Sequence, residues 1–420
     1  MKQLIVAITH HRKFGSILIP HLITPSGGDG LYSVIDKATP VNIEDADGFC
    51  PDYRELVRLS GAIDDVFIAR LFSKEPPHDF LRHVDADFAA TRVRPYIEQR
   101  IALMIKLILK NRIRLFVKNP HDTKLYATNE VSIAQGNSQV LFLFDRNENG
   151  IRYRMAIDHG THYDKLKGKT SIVLTNSDPC IVIIDKVLYR FDNVDSKKFE
   201  PFLHNDFIHI KKESEQAYFE KFIINIIKKY KVRATGFSVD TLYNLPKPLL
   251  QFSTDINGCQ ALLLLFDYGD IQIMSNNNAT PFVCLQRDGD NIHFVKHIRQ
   301  PDFERQIAEK LTALGLQSSD NIMFYLKQAA GAAAKEAFYI YISAINSMAD
   351  KLAAANIAVS VPDAQHSYYL GSISLDLKTD MQNDWFDLHG MVTVGNYTFP
   401  FVKLRRNILR GIREYELPDG

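Results

Sequence analysis

Hydrophobic residues along the chain follow two different spacings. Short runs that alternate or are continuously apolar are typical of strands, and longer stretches with apolar residues three and four apart are typical of helices. One such stretch places Ile97, Ile101 and Ile108 on a single helical stripe. The pattern predicts strands at 1–8, 140–145, 151–157, 181–184, 187–191, 261–267, 271–274, 281–286, 292–298 and 368–377, and helices at 52–72, 95–110, 213–230, 302–314 and 332–352.

These elements predict an α+β, multi-domain fold in which antiparallel β-meanders pack against amphipathic helices. We expect a helix-rich N-terminal region at 1–135, a β-meander and helix region at 136–316, and an α+β region at 317–420. The run at 140–145 is similar to that at 262–267, which suggests two copies of a meander followed by a helix. The alternative explanation is that antiparallel meanders resemble one another by chance, without a duplication.

The C-terminal end carries the most detailed pattern. Apolar side chains from 386 to 394 fall on one face of a strand, and Gly395-Asn396 makes a tight hairpin turn. Pro400 suits the first turn of a helix with an apolar stripe formed by Phe401, Leu404 and Ile408, which Gly411 ends.

A further strand is predicted at 412–417, followed by the turn residues Pro418, Asp419 and Gly420. Pro-Asp-Gly normally reverses one strand onto the next, and here no strand follows. We therefore expect the sequence to be the front part of a longer polypeptide.

This C-terminal order resembles the segment just upstream of the motor in bacterial Swi/Snf-family helicase-like ATPases. A looser likeness covers 199–203, 213–230 and 232–237. The resemblance implies a parent chain that is an ATP-dependent translocase on duplex DNA. The residues that match best are Trp385, Phe386, Asp387, Gly395, Leu404, Gly411 and 417–420.

The sequence itself contains no nucleotide-hydrolysis motif. The nearest approach to a phosphate-binding loop is Gly168-Lys169-Thr170, and Tyr163 stands where the first glycine of that loop is required. An Asp-Glu pair for a magnesium-bound nucleotide is also absent. We therefore expect a noncatalytic chain without cofactor or metal, with ATP and magnesium bound only by the motor of the parent chain. The implied partners are that motor in cis, duplex DNA and a protein partner.

The composition argues against a membrane protein and against binding that is driven by a large net charge. The net charge is +1 and 46% of the 420 residues are hydrophobic, so a DNA contact must come from a local patch. The four cysteines are widely spaced, which favours small buried side chains in a reducing compartment. No signal peptide or apolar run of membrane-spanning length is present, so we expect a cytoplasmic protein with no membrane partner.

Basic residues on the polar face of the last predicted helix are the candidate nucleic-acid contact. Lysine and arginine release condensed counterions when they bind phosphates, although a solvated helix face has the same composition. A smaller basic cluster at 228–233 is equally compatible with a helix C-terminus. The candidate contact residues are Lys403, Arg405, Arg406, Arg410 and Arg413.

Two other features keep a different function open. The segment 158–164 holds His159, His162 and two aspartates, which could bind zinc, but its glycine and strand-rich surroundings favour a polar loop. Trp385 could stack on a base or pack in a core. The alternative function is a stand-alone small-ligand-binding protein or hydrolase whose site is assembled from distant residues.

Overall fold

The alternating apolar residues at the start of the chain form a β-hairpin. β1 (Gln3–His11) pairs antiparallel with β2 (Gly15–Pro25), and successive β1 side chains enter two different cores. Leu4, Val6 and Ile8 face the helices, whereas Ile5 and Ala7 face a smaller cluster with Phe116 and Leu125. The first strand is thus buried on both faces, which explains its nearly continuous apolar run.

The computed structural model describes residues 2–26, 30–275, 280–362, 367–382 and 385–418, and only the backbone of 379–382 and 385–389. The chain forms two compact units. One comprises Met1–Val239 with Gly289–Ile292, and the other comprises Asp240–Asp288 with His293–Gly420. The predicted α+β, multi-domain class is confirmed.

The strands of the described residues belong to five sheets. Those that begin in the first unit are β1, β2, β3 (Leu31–Lys37), β4 (Arg114–Val117), β5 (Lys124–Tyr126), β6 (Glu130–Ile133), β7 (Gln139–Asn147), β8 (Gly150–Asp158), β9 (Tyr163–Lys165), β10 (Ser171–Thr175), β11 (Cys180–Ile184), β12 (Val187–Phe191), β13 (Ile208–Lys211), β14 (Lys231–Thr235) and β15 (Ser238–Leu242). The later strands are β16 (Lys247–Thr254), β17 (Gln260–Asp267), β18 (Gln272–Met274), β19 (Phe282–Asp288), β20 (Asn291–His297), β21 (Met323–Phe324), β22 (Ala358–Ser360), β23 (Ile373–Gln382), β24 (Trp385–Val394) and β25 (Tyr397–Pro400).

Helices separate these strands. Two of them contain a π-helical segment: Ala89–Val93 precedes α5, and Phe219–Ile223 lies between α7 and α8. The α-helices are α1 (Pro51–Gly61), α2 (Asp65–Phe72), α3 (Pro77–His83), α4 (Ala86–Phe88), α5 (Arg94–Asn111), α6 (Glu200–His204), α7 (Glu215–Tyr218), α8 (Ile224–Lys229), α9 (Pro301–Ala313), α10 (Ala334–Ala354) and α11 (Arg405–Leu409).

One strand arrangement occurs three times within the described residues. Two antiparallel strands form a hairpin, and a later third strand pairs with the second strand of that hairpin. Helices come next along the chain. A return strand then pairs parallel with the first strand of the hairpin. The resulting orders are β4-β1-β2-β3, β14-β7-β8-β13 and β22-β16-β17-β18.

This arrangement changes the predicted duplication. The sequence likeness matches 140–145 with 262–267, but the first run lies in β7, which opens its hairpin, and the second lies in β17, which closes its hairpin. The topological partner of β7 is β16. The likeness therefore joins two buried central strands that are not equivalent in the repeat.

The units do not follow the predicted regions 1–135, 136–316 and 317–420. The nine-stranded sheet has the order β10-β11-β12-β6-β4-β1-β2-β3-β5, so the predicted boundary at 135 falls inside one sheet. The predicted helices at 95–110 and 302–314 are confirmed as α5 and α9, but the predicted helix at 52–72 is two helices, α1 and α2. It breaks because the Asp64 carboxylate accepts from the Val66 N–H at 3.2 Å and begins α2 as an N-cap.

The core of the second unit lies between a sheet and two helices. Leu250, Leu264 and Phe266 of the sheet pack against apolar residues of α9 and α10, including Leu311 and Ile345. A separate small cluster at the C-terminal end contains Val392, Val394 and Phe399, with Leu404 and Leu417 packed against it.

Candidate functional site

The C-terminal segment that follows β25 carries the predicted nucleic-acid contact. Pro400 leads into a 3₁₀ turn, Phe401–Leu404, which continues as α11. Gly411 ends the helix with a positive φ of 66°, and the Ile412 N–H returns to the Asn407 carbonyl at 2.9 Å. These are the features of a left-handed helix end, as the sequence predicts.

The five predicted contact residues are all exposed. Lys403, Arg406 and Arg410 are three and four residues apart, so helical geometry places them on one side, and Arg405 lies off that spacing. Arg413 forms an ion pair with Glu336 at 2.7 Å. Among the described residues, no ion pair involves the other four cations, which remain available to an anionic partner.

The predicted apolar stripe of this helix does not pack as a unit. Leu404 joins the C-terminal cluster, but Phe401 and Ile408 are 40% and 55% exposed. Val402 and Leu409 are also exposed. The segment therefore presents apolar side chains to solvent beside its basic ones.

The predicted strand at 412–417 does not form. The segment is irregular, and side chains hold it instead: the Asn407 amide donates to the Glu414 carbonyl at 2.7 Å, and the Tyr339 hydroxyl donates to the Glu414 carboxylate at 2.6 Å. Tyr415 stacks on Phe399 with 4.9 Å between ring centroids. Because these local contacts hold the segment, its period-two pattern does not lead to sheet pairing.

The residues that carry the family resemblance lie in the β23-β24-β25 sheet and in the segment after it, except Asp419 and Gly420, which lie outside the described residues. Gly395 has a φ of 56° in the two-residue turn between β24 and β25, where Val394 pairs with Tyr397. Trp385, Phe386 and Asp387 belong to β24. Their side chains lie outside the described part of the chain, so the choice between packing and stacking for Trp385 stays a prediction.

The loop between β8 and β9 brings His159 and His162 close to Asp164, which lies in β9. One ligand atom from each lies within 4.8 Å of the others, and the two imidazoles stack at 4.8 Å. Lys169 already pairs with the Asp164 carboxylate at 3.2 Å, so a metal ion here would compete with an ammonium group. Within the described residues no further ligand joins this group.

The smaller basic cluster is partly neutralised within the first unit. Lys231 pairs with Asp158 at 2.7 Å, and this contact helps to keep the pKa of Asp158 below its ordinary value despite the opposing effect of burial. Arg233 lies over the ring of Tyr163. The cluster is therefore a weaker candidate for phosphate contact than the C-terminal segment.

A cleft in the first unit brings together residues that no sequence motif joins. It encloses about 670 Å³ at the carboxyl ends of the parallel strands β1 and β4, where the turn between β1 and β2, the helix start before α5 and β10 complete its walls. Its described lining contains no carboxylate. The basic residues that line it are His10, Arg12, Lys13, Arg94 and Lys118.

Comparison with known proteins gave no match: no protein-family model, curated protein or solved structure is significantly similar to this chain. The helices of the described residues include none with the length and apolar character needed to cross a bilayer.

Proposed function

We propose that this chain is the noncatalytic region that precedes the motor of a Swi/Snf-family DNA-dependent ATPase, and that it positions or regulates that motor. The observation that carries the proposal is the C-terminal segment, which combines exposed apolar residues with four exposed cations that form no ion pair among the described residues. It directly follows the strand and turn that resemble the family. Apolar contact suits a motor in cis, and the cations suit the phosphates of duplex DNA bound beside it.

Duplex binding provides the first test. A double variant, Arg406→Ala with Arg410→Ala, removes two cations on one side of the segment, and the fluorescence anisotropy of a labelled duplex is titrated from about 50 to about 200 mM salt. We expect weak binding by the unmodified chain and a log-log salt slope that is smaller by about 2 in the variant.

The matched control changes the same net charge elsewhere. Arg70 and Arg82 are exposed on α2 and α3, so Arg70→Ala with Arg82→Ala should leave the slope of the unmodified chain unchanged. Equal slopes for both double variants, or affinity that does not depend on salt, would reject the proposed phosphate face.

The reading frame provides the second test. The proposal predicts that the gene continues past Gly420 and encodes a phosphate-binding loop and an Asp-Glu motif downstream. A stop codon directly after Gly420 would exclude a motor in cis whatever the result of the DNA titration.

A second candidate function is favoured by the cleft of the first unit. A volume of about 670 Å³ is within the range of small-molecule sites, and its residues come from distant parts of the chain. This is the arrangement expected of a stand-alone small-ligand-binding protein or hydrolase.

A further inference from the structure

The cleft at the carboxyl ends of β1 and β4 has the charge of an anion site. His10 and four arginine and lysine side chains line it, and the described lining includes no carboxylate, although Arg94 pairs with Glu98 behind it. From this concentration of cations we propose that the cleft binds a small phosphate ester. This site is separate from the C-terminal segment and does not depend on the proposed function.

Lys118 is the most informative of these residues. It is only 6% exposed, and its ammonium group donates to the backbone carbonyls of Asn119 at 3.0 Å and Pro120 at 3.2 Å. No ion pair of Lys118 occurs among the described residues. Burial lowers the pKa of its ammonium group although the charge of nearby Asp122 opposes this effect, so a bound anion would add counter-charge inside the cleft.

The fold holds Lys118 in place through its backbone. Its N–H donates to the Ile8 carbonyl at 3.0 Å, which extends the parallel pairing of β1 with β4 by one residue. Ligands of open sheets with parallel strands bind outside the carboxyl ends of those strands. Lys118 therefore lies at the edge of the sheet where ligands of such sheets bind.

Arg94 builds the wall of the cleft rather than serving as a free ligand. Its guanidinium donates to the carbonyls of Phe14 and Ser16 in the β1–β2 turn and to that of Leu174 in β10. Its Nε pairs with Glu98 at 2.9 Å. The cations left for a ligand are those of the turn and Lys118, the residue directly after β4.

Arg12 and Lys13 are the cations of the turn. Both are exposed in the turn between β1 and β2, and Lys13 makes only a long contact of 3.4 Å to the Val84 carbonyl. An arginine can bind a phosphate through two parallel N–H donors. A lysine adds a point charge on a flexible stem.

The remaining walls define the rest of the ligand. Val84, Ala86, Ala89 and Ala90 form an apolar side, while Ser171 and Asn176 add hydrogen-bonding groups. A cleft of about 670 Å³ has room for a nucleotide-sized molecule with one apolar face. Two sources present this chemistry, a free nucleotide and the 5′-phosphate end of a DNA strand.

The test compares ligands with and without the phosphate on the full chain. Isothermal titration calorimetry is carried out with AMP against adenosine, and with a short single-stranded oligonucleotide bearing a 5′-phosphate against the same oligonucleotide bearing a 5′-hydroxyl. We expect the phosphate form to bind more tightly in at least one pair, and that pair identifies the source.

Variants then locate the binding site. Arg12→Ala alters an exposed turn and should weaken the phosphate-dependent binding about tenfold, as expected for the loss of one charge-assisted hydrogen bond. Lys118→Met keeps the buried stem and should weaken it at least as much. Arg70→Ala, an exposed arginine on α2 outside the cleft, should leave it unchanged.

Two results would overturn the inference. One is equal affinity for the phosphate and phosphate-free forms in both ligand pairs. The other is phosphate-dependent binding that is unchanged in both cleft variants while circular dichroism shows them folded. Neither result affects the salt-dependent duplex binding assigned to Arg406 and Arg410. The phosphate site in the cleft and the proposed function can therefore be rejected independently of each other.

Discussion

Arg94 connects three parts of the first unit through one guanidinium group. It donates at 2.8 Å to Phe14, at 2.7 Å to Ser16 and at 2.6 Å to Leu174, and it forms an ion pair with Glu98. The side chains of Arg94 and Glu98 are 13% and 14% exposed, so both charges are largely removed from water. Glu98 in turn accepts from the Asn176 amide, which ties the same network to the loop after β10.

We expect Arg94→Met to lower the free energy of unfolding by roughly 3 kcal/mol. The change leaves the Glu98 carboxylate without its cation and three carbonyls without their donor. Urea denaturation followed by circular dichroism measures the loss. The matched change Arg70→Met, at an exposed position on α2, should cost less than about 0.5 kcal/mol. Similar losses for the two variants would contradict the structural role of Arg94.

The cysteines differ in their expected reactivity. Cys180 is fully buried in β11, and burial raises the pKa of its thiol to about 12, whereas Cys259 is exposed. At mildly alkaline pH we expect iodoacetamide to modify Cys259 rapidly and Cys180 only after unfolding in urea, because the thiolate is the reacting form. Peptide mass spectrometry measures both sites. Modification of Cys180 in the native protein at the rate of Cys259 would contradict this prediction.

His21 should make the stability of the protein depend on pH. Burial, followed by the positive charge of Lys118, lowers the pKa of His21 to about 4, and its Nδ1 has no hydrogen-bond partner in the described structure. The folded state therefore favours the neutral imidazole. Its contribution is fully present above the ordinary pKa of about 6.5 and is lost as the pH falls from there towards 4.

The variant His21→Gln isolates this effect. Between pH 7 and pH 4.5 the unfolding free energy of His21→Gln should fall less steeply than that of the unmodified chain, since glutamine does not titrate. Urea denaturation at several pH values gives both slopes. Parallel slopes would show that His21 does not carry the expected linkage.

Single residues were predicted unevenly from the sequence. Gly395 and Gly411 follow from turn and cap chemistry, which is local, and both have the positive φ that was expected. The expected burial of the cysteines is confirmed for Cys180 and wrong for Cys259, because Cys259 lies in the exposed turn between β16 and β17. Residue type gives a tendency to be buried, but position in the fold decides it.

At the level of elements, the β7–β8 hairpin depends on a glycine that contacts a third strand. Gly150 has a φ of 122°, and a β-carbon there would overlap the Ile210 carbonyl and approach the Lys212 N–H at the end of β13. The hairpin can therefore lie against β13 only because this position has no side chain.

We expect Gly150→Ala to destabilise the first unit by at least about 2 kcal/mol, through both strain and loss of the β8–β13 pairing. Gly136→Ala is the control, since Gly136 also has a positive φ, of 68°, but its β-carbon would meet open space. That change should cost only about 1 kcal/mol. Chemical denaturation distinguishes the two, and equal costs would mean that the clash with β13 is relieved.

The sequence predicted most strands but not their pairing. Apolar spacing identifies β7, β8 and β17, because the buried faces of these strands are defined locally. The return strands β4 and β22 are short and carry little pattern, and they pair with β1 and β16 far away in the chain. The basic cleft was missed for the same reason, since its basic residues at 10, 12, 13, 94 and 118 meet only after β4 has joined β1.

For the whole molecule, the proposed function predicts that the purified chain does not hydrolyse ATP, with or without duplex DNA. The physical reason is the lack of a phosphate-binding loop and of an Asp-Glu magnesium motif in the sequence. Release of inorganic phosphate measures the activity. The variant Lys169→Ala alters the one Gly-Lys-Thr segment of the sequence. ATP hydrolysis that persists through purification and is lost in this variant would contradict the prediction.

The division of the molecule into units could not be inferred from composition. The predicted boundary at 135 rests on a change from helices to strands, yet the strands on both sides of it belong to the nine-stranded sheet. Gly289–Ile292 also belongs to the first unit although it lies far along the chain. Local pattern records a change of element type, whereas a unit is defined by contacts between distant segments.

The parallel return strands also determine the order in which the strands can pair during translation. One edge of β1 stays unpaired until β4 has been synthesised, and all of α1 to α5 must be made in between. In the same way β7 waits for β14 and β16 waits for β22. An unpaired apolar strand edge on a nascent chain promotes aggregation. Slow translation just before residues 114, 231 and 358 would therefore lengthen the interval in which the chain needs a chaperone.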